Sequence, residues 1–436
     1  MTTRSPRSGY WRLFGASAIS NLGDGMGSIA YPWLASALTR NPVLIALVVA
    51  AQRLPWLVLS LPAGVITDRV DRRRLIVRMD VVRGAVTTAV GLGVLWRQGM
   101  LPDPSDVTAV ITTDAVLYPL LLVATLLMGS AEVLRDNSAQ TLMPALVDAD
   151  GLERANGRMW AAEATANQFV GPPLGSLLLG VAFALPFLVD AVTFFVAAAL
   201  IATIPGSFRP VAAHGAPDGR RGSWRDDIGD GVRWLRANPV LWPMAIVLGL
   251  MNGADALAAA TLVIFAQEVL GVGPFLFAVI GAGGAIGSIV GGWFVPALSR
   301  RIGGGAVLSG AVAGLGLCAL AIATASAWPV VMVAFSLTAM FGIGWNVVTV
   351  SLRQSVIPDH LLGRVNSVYR FLAWGSIPVG AALGGALVGL LDGPLDRADA
   401  LRSPWFVSVA IHVILLVVVR RRLGTAALDA LRATGK

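Results

Sequence analysis

Apolar runs of about 20 residues follow one another along almost the whole of this 436-residue chain, and they constrain its fold more than any motif does. A helix rises about 1.5 Å per residue, so each run matches a hydrocarbon core of about 30 Å. In lipid the backbone must satisfy its own N–H and C=O groups, which makes these runs helices. The chain is 56% hydrophobic and 13% charged, with a mean hydropathy of +0.73. It is therefore an all-α polytopic membrane protein and not a soluble domain. The runs number twelve, at about 13–38, 43–66, 75–97, 116–135, 157–179, 183–204, 240–268, 274–298, 305–325, 328–351, 366–391 and 403–420. The fifth, seventh and eleventh challenge a hydropathy window most, because each carries acidic, amide or Arg residues near its start or middle. Arg4, Arg7 and Arg12 precede the first run as they would in a leader, but that run is too long and too interrupted by polar residues to be cleaved.

The net charge of +8 belongs to topology and not to nucleic acid, because the Arg residues border spans instead of interleaving with aromatics on one surface. With the amino terminus cytoplasmic, the inner gaps hold Arg69 to Arg78, Arg154, Arg158, Arg209 to Arg236, Arg300, Arg301, Arg353 and Arg364. The opposite gaps hold Asp103, Asp106, Asp114, Asp392, Asp396 and Asp399. This is the positive-inside pattern of a protein of the inner or plasma membrane with both termini cytoplasmic. The expected organisation is a six-helix bundle over 1–205, a cytoplasmic linker over 206–238, a second six-helix bundle over 239–422 and a tail over 423–436. Within the linker Trp224, Ile228, Val232 and Leu235 recur at helical spacing, which predicts a short amphipathic helix on the inner membrane surface. A repeat supports the division: Gln140 to Pro144, then Arg154 and Asn156, corresponds to Gln354 to Pro358, then Arg364 and Asn366.

The densest polar segment is Gly64 to Arg74, with Asp68, Arg69, Asp71 and Arg72 to Arg74 set between the second and third spans. Through Gly64, Asp68, Arg69 and Arg73 it resembles the signature loop of the major facilitator superfamily. The resemblance extends over nearly the whole chain and includes Asn21 to Asp24, Asp80 to Arg83, Gln140 to Asn156 and Gly231 to Pro239. It points to the exporter branch containing the enterobactin exporter and macrolide or multidrug efflux proteins. It implies the fold of that superfamily, two six-helix bundles, and a loop that latches one state. In that resemblance Asp68 caps a helix of the other half and Arg73 pairs with Glu132 or Asp136 at the inner end of the fourth span.

Ser17, Asn21, Asp24, Ser28 and Tyr31 are spaced 4, 3, 4 and 3 and share one face of the first span. A mid-bilayer carboxylate costs about 2.5–3.5 kcal/mol on insertion scales, so Asp24 must meet water, a partner or a proton. It is either a proton-coupling residue or a packing carboxylate held by Arg53 or Arg83. On the fifth span Glu163, Asn167, Gly171 and Gly175 are each four apart. Gly171, Pro172, Pro173 and Gly175 resemble part of the fifth-span motif of drug/proton antiporters. A kinked packing seam explains them equally well. In the second half Asn252 and Asp255 share a face, and Asp255 is a further proton-coupling candidate, as is Glu163. Asn21, Ser28, Asn167, Asn252, Asn346, Arg370 and Trp374 are cavity candidates, with interhelical hydrogen bonding as the alternative. Gly283, Gly287 and Gly291, with Gly284, Ser288 and Gly292 beside them, form two small-residue faces on the eighth span.

No phosphate-binding Gly-rich loop is present and the only lysine is Lys436. Cys318 and the isolated histidines, His214, His360 and His412, have no metal-ligand spacing. We therefore expect no cofactor, no metal, no enzymatic constellation, no nucleic-acid partner and no required oligomer. The resemblance implies a secondary transporter that exports a small amphipathic molecule, such as a drug, a macrolide-like compound or a siderophore, in exchange for protons. A nutrient importer of the same fold and a transport-inactive sensor are the alternatives.

Overall fold

The computed structural model describes residues 6–67, 69–104, 112–148, 151–209 and 224–434. Its helices are α1 (Pro6–Leu38), α2 (Pro42–Thr67), α3 (Arg72–Trp96), α4 (Leu117–Leu142), α5 (Leu152–Glu163), α6 (Gly171–Val181), α7 (Leu185–Ala202), α8 (Trp224–Ala237) and α9 (Leu241–Ala259). There follow α10 (Leu262–Glu268), α11 (Pro274–Ile302), α12 (Gly304–Thr324), α13 (Trp328–Val356), α14 (Asp359–Leu391), α15 (Arg397–Arg422) and α16 (Thr425–Thr434). With α5 and α6 taken as one interrupted rod, and α9 and α10 as another, each expected span is a helix.

Among the described residues nine rods are long and apolar enough to cross a membrane by composition alone. The three that fall short are α1, α3 and the α5–α6 rod, so the first and third spans challenge hydropathy while the seventh and eleventh do not. The reason lies in their contents. α3 opens on Arg72, Arg73 and Arg74 and carries Asp80 and Arg83. α1 is diluted by Gly, Ser and Asn around Asp24, and the fifth span is broken into short pieces. Two of these three, α1 and α3, carry Asp24, Asp80 and Arg83 of the charge cluster described below.

The chain forms two compact units, Met1–Gly215 with Gly271–Val279, and Ala216–Leu270 with Ile280–Lys436. In the first, α1 packs on α6 and α7, α3 on α4 and α7, and α2 on α4. In the second, α9 packs on α14 and α15, and α12 on α13 and α15. Numbered as spans, these are the same pairings: first with fifth and sixth, third with fourth and sixth. The counterpart of α2 on α4 is α11 on α13, where a Cβ on Gly287 would lie 1.7 Å from the Ser336 carbonyl oxygen. Only the face of Gly283, Gly287 and Gly291 makes that approach. Gly284 and Gly292 meet nothing within 4 Å, and Ser288 bonds back to the Gly284 carbonyl oxygen.

The fifth span carries a π-helical segment, Ala164–Val170, between α5 and α6. Pro172 and Pro173 lack the N–H groups that would close α-type bonds to carbonyls four residues back, and their rings crowd those carbonyls. The ladder widens instead, with Gly171 N–H bonded to the Ala166 carbonyl.

The linker helix forms as α8 and packs within the second unit. A Cβ on Gly231 would sit 2.9 Å from the Arg364 carbonyl oxygen of α14. Leu235 is fully buried in the core of the second unit with Leu241, Met244, Val365 and Tyr369. The apolar stripe thus joins a protein core. The side chains of Trp224 and Ile228 lie outside the described residues.

Candidate functional site

The middle of α1 approaches its neighbours at glycine. A Cβ on Gly23 would fall 2.0 Å from Asp190 Oδ1 of α7, and one on Gly25 would fall 2.7 Å from the Asn167 carbonyl oxygen. From the other side, Cβ atoms on Gly171 and Gly175 would meet Gly25 Cα at 2.6 Å and the Met26 carbonyl oxygen at 2.6 Å. The fifth-span motif is therefore a seam against α1, at the residues flanking Asp24. Pro172 is buried in that seam. This contact is the packing seam expected of Gly171 and Gly175.

Asp24 Oδ1 accepts a hydrogen bond from Arg83 Nη2 of α3, and Arg83, not Arg53, is its partner. The Asp24 side chain is 27% exposed while that of Arg83 is 2% exposed. Arg83 also donates to Ser20 Oγ at 3.2 Å, lies 3.8 Å from Asp80, and stacks 4.0 Å above the Phe194 ring. A buried guanidinium stripped of its partner is destabilising by about 3–5 kcal/mol, but here Asp80 stays close when Asp24 is neutralised. Asp80 is fully buried and pairs with Arg135 of α4 at 3.4 Å. Arg135 in turn reaches Asp136 and Ser17, both at 3.3 Å. Asp80 and Arg135 thus belong to the site, although the sequence pattern did not single them out as site residues. Asp80 and Arg83 lie one turn apart on α3, but the ring draws its members from α1, α3 and α4, which no spacing within one helix reveals.

The first-span face is split by this packing. Asn21 donates to the Ser17 carbonyl oxygen at 2.8 Å, Ser28 is exposed and donates to the Gly25 carbonyl, and Tyr31 is buried edge-on against Phe187. Glu163 is exposed at the end of α5 and Asn167 lies half-buried in the π-helical segment. Asp190 is buried and accepts from Thr193 Oγ1 at 3.2 Å.

The expected latch pairing is not the arrangement present. Arg73 donates to the Ile204 carbonyl oxygen and Arg72 to that of Thr141, while Asp136 takes Arg135. No ion pair joins Arg73 to Glu132 or Asp136 among the described contacts. Asp71 caps α3 by accepting from Arg74 N–H at 3.0 Å. Its other oxygen accepts from Phe208 N–H at 2.9 Å and Ser207 Oγ at 3.2 Å, tying the start of α3 to the end of α7. Burial alone would raise the Asp71 carboxyl, but those donors and the nearby Arg73 charge hold it below the ordinary aspartate value. Arg69 is exposed in the turn. Asp68 lies outside the described residues, and of Gly64 only its place in α2 is described.

In the second unit Asn252 donates to the Ala373 carbonyl oxygen at 2.7 Å, which makes it an interhelical bond between α9 and α14. Asp255 of α9 faces His412 of α15, with Oδ1 and Nε2 4.0 Å apart. His412 is not the isolated residue that its sequence position suggests. Asn346, Arg370 and Trp374 are exposed. Arg353, just before the second repeat copy, bonds Oδ1 of Asn366 within it at 3.1 Å.

The family model described as Major Facilitator Superfamily matches residues 13–381. The chain is 28% identical over 429 residues to the multidrug efflux pump Tap of Mycobacterium tuberculosis, covering 94% of this chain and 91% of that protein. It is 26% identical over 420 residues to the enterobactin exporter EntS of Shigella boydii, covering 93% and 91%. Among solved structures, a bacterial homologue of the iron transporter ferroportin superposes with a TM-score of 0.69 at 16% identity, covering 96% and 99%. The nucleoside transporter NupG does so with 0.65 at 12% identity, covering 94% and 99%.

Proposed function

The chain belongs to the Major Facilitator Superfamily, and from that membership we propose that it is a proton-coupled antiporter exporting a small amphipathic molecule by alternating access. It is a multi-pass membrane transporter, not an enzyme. Export is supported by the efflux and export functions named for both relatives. The observation that carries proton coupling is Asp24, a partly exposed carboxylate on a buried Arg83, in a span held at Gly25 and Met26 by the Gly171–Gly175 seam. Protonating Asp24 weakens its bond to Arg83, which Asp80 continues to neutralise. A proton so bound biases one conformation over the other only through unequal affinity for the two. The bundles at 1–205 and 239–422 are the moving bodies, both termini are cytoplasmic, and the compounds carried are drugs, macrolide-like molecules or siderophores.

The test is accumulation of a panel of amphipathic antibiotics and dyes in a pump-deficient bacterial host, comparing wild type with Asp24→Asn at equal membrane levels. Lowered accumulation that a protonophore abolishes and Asp24→Asn lacks is the expected result. Asp24→Asn performing as wild type would make Asp24 structural, and wild type moving nothing in the panel would favour a narrow exporter or an importer.

A further inference from the structure

We propose that His412 and Asp255 together bind one proton, held between Nε2 and Oδ1, as a second proton site set within the second unit. His412 is 1% exposed. Its Nδ1 lies 2.8 Å from the Ser408 carbonyl oxygen, one turn back on α15. A carbonyl oxygen only accepts, so Nδ1 carries the hydrogen. The neutral ring then presents a bare lone pair at Nε2, which is buried and has no hydrogen-bond partner. The polar atom it faces is Asp255 Oδ1 at 4.0 Å. Two acceptors face one another, and a buried acceptor left unsatisfied costs about 1–3 kcal/mol. One proton between them removes the conflict: it sits on Nε2 as imidazolium and donates toward the carboxylate, or on Oδ1 and donates toward Nε2.

Closing the pair from 4.0 Å by about 1 Å brings it within hydrogen-bond distance. Asp255, with its side chain 44% exposed, is the member of the pair that opens to the surface. The surroundings contain few competing charges. From α12, Cys318 is the titratable group that feels Asp255, and Gly316 lets α12 approach the His412 Cβ. The α14 residues on the α9 seam, Leu372, Ser376 and Gly380, do not titrate, and Arg370 is exposed. Glu268 of α10 is taken by Arg397, and Asp230 of α8 by Arg364 and Arg233. The proton-holding pair stands on this geometry; only its share in coupling rests on the antiport reading above.

The experiment uses the full chain in lipid nanodiscs, ¹⁵N-labelled at histidine, with His214→Gln and His360→Gln so that His412 gives the single imidazole signal. A pH titration is expected to show Nδ1–H throughout and a proton gained at Nε2, with a midpoint that differs in Asp255→Asn. A neutral ring carrying its hydrogen on Nε2, or an identical midpoint in Asp255→Asn, would overturn the proposal. The tautomer readout decides the matter by itself where Asp255→Asn does not fold. In the efflux assay His412→Gln is expected to change the pH dependence of transport. Efflux insensitive to a protonophore would sink the antiport reading while leaving the NMR result standing.

Discussion

Asp24 and Asp71 are both carboxylates on Arg-rich ground, yet their surroundings give them opposite tasks. Asp71 accepts three hydrogen bonds from fixed donors and ties α3 to the segment after α7. Because its carboxyl is held below the ordinary aspartate value, the stability it contributes is complete above that value, about pH 3.9, and is lost as pH falls through the lower folded value. Asn keeps one oxygen for the Arg74 N–H but loses the second acceptor that takes Phe208 N–H and Ser207 Oγ, so Asp71→Asn is expected to be less stable than wild type at neutral pH by about 1–3 kcal/mol and to melt at a lower temperature. The gap should narrow in melts taken below about pH 4. Asp24 offers one carboxylate to one buried Arg and remains partly open. Asp24→Asn is expected to keep the fold and lose protonophore-sensitive efflux. Gly23→Ala is expected to do the reverse. Its Cβ would sit 2.0 Å from Asp190 Oδ1 and 2.3 Å from Thr193 Oγ1, so α1 must leave α7, and size-exclusion chromatography should show loss of the monodisperse protein. Residues such as Asp24 were legible from spacing alone, because a charge inside an apolar run stands out. Asp71 was less so: its cap bond is local, but its bonds to Ser207 and Phe208 reach 136 and 137 residues along the chain.

The fifth span shows how an element is shaped by the bonds it lacks. Pro172 and Pro173 remove two donors, and the turn before them opens into a π-helical segment between Glu163 and Gly171. Restoring the donors with Pro172→Ala and Pro173→Ala is expected to return Ala164–Val170 to α geometry. Shifting register by one residue turns α5 by about 100° relative to α6. Glu163 and Asn167 then change face, so efflux should fall while the melting temperature stays level or rises. The break was foreseeable as a proline kink; that it would be π-helical was not, because widening depends on α1 filling the space beside Gly171. On the eighth span sequence spacing offered two equivalent small-residue faces. Burial against α13 chose the one containing Gly287, since only there does a neighbouring backbone come close.

At the scale of the molecule the internal repeat extends from two short sequence matches to matching helix pairings in both units, first span with fifth and sixth, third with fourth and sixth. The charges do not follow that symmetry. The first unit gathers Asp24, Asp80, Arg83 and Arg135 across three helices, whereas between α9 and α15 of the second, among the described residues, Asp255 faces His412. The orientation of the whole chain is tested with a Cys318→Ala background carrying one new cysteine at Arg74 or at Asp399. A membrane-impermeant maleimide added to intact cells is expected to label the Asp399 site and to spare the Arg74 site. The opposite pattern would invert the topology and with it the proposed direction of transport.

The sequence by itself determined the helical class and its membrane-spanning runs, and it carried the charge asymmetry and the repeat from which the orientation and the two bundles are proposed. Each of these follows from composition or from spacing within one element, and lipid leaves the backbone little choice. Only the tertiary structure decided the partners. It assigned Arg83 and not Arg53 to Asp24, brought Asp80 and Arg135 into the same ring, put Arg73 on a carbonyl in place of an acid, and set His412 opposite Asp255. Those choices depend on which helix faces meet across the bundle, and that is fixed by where small residues let backbones approach, a property of pairs of helices and not of either alone.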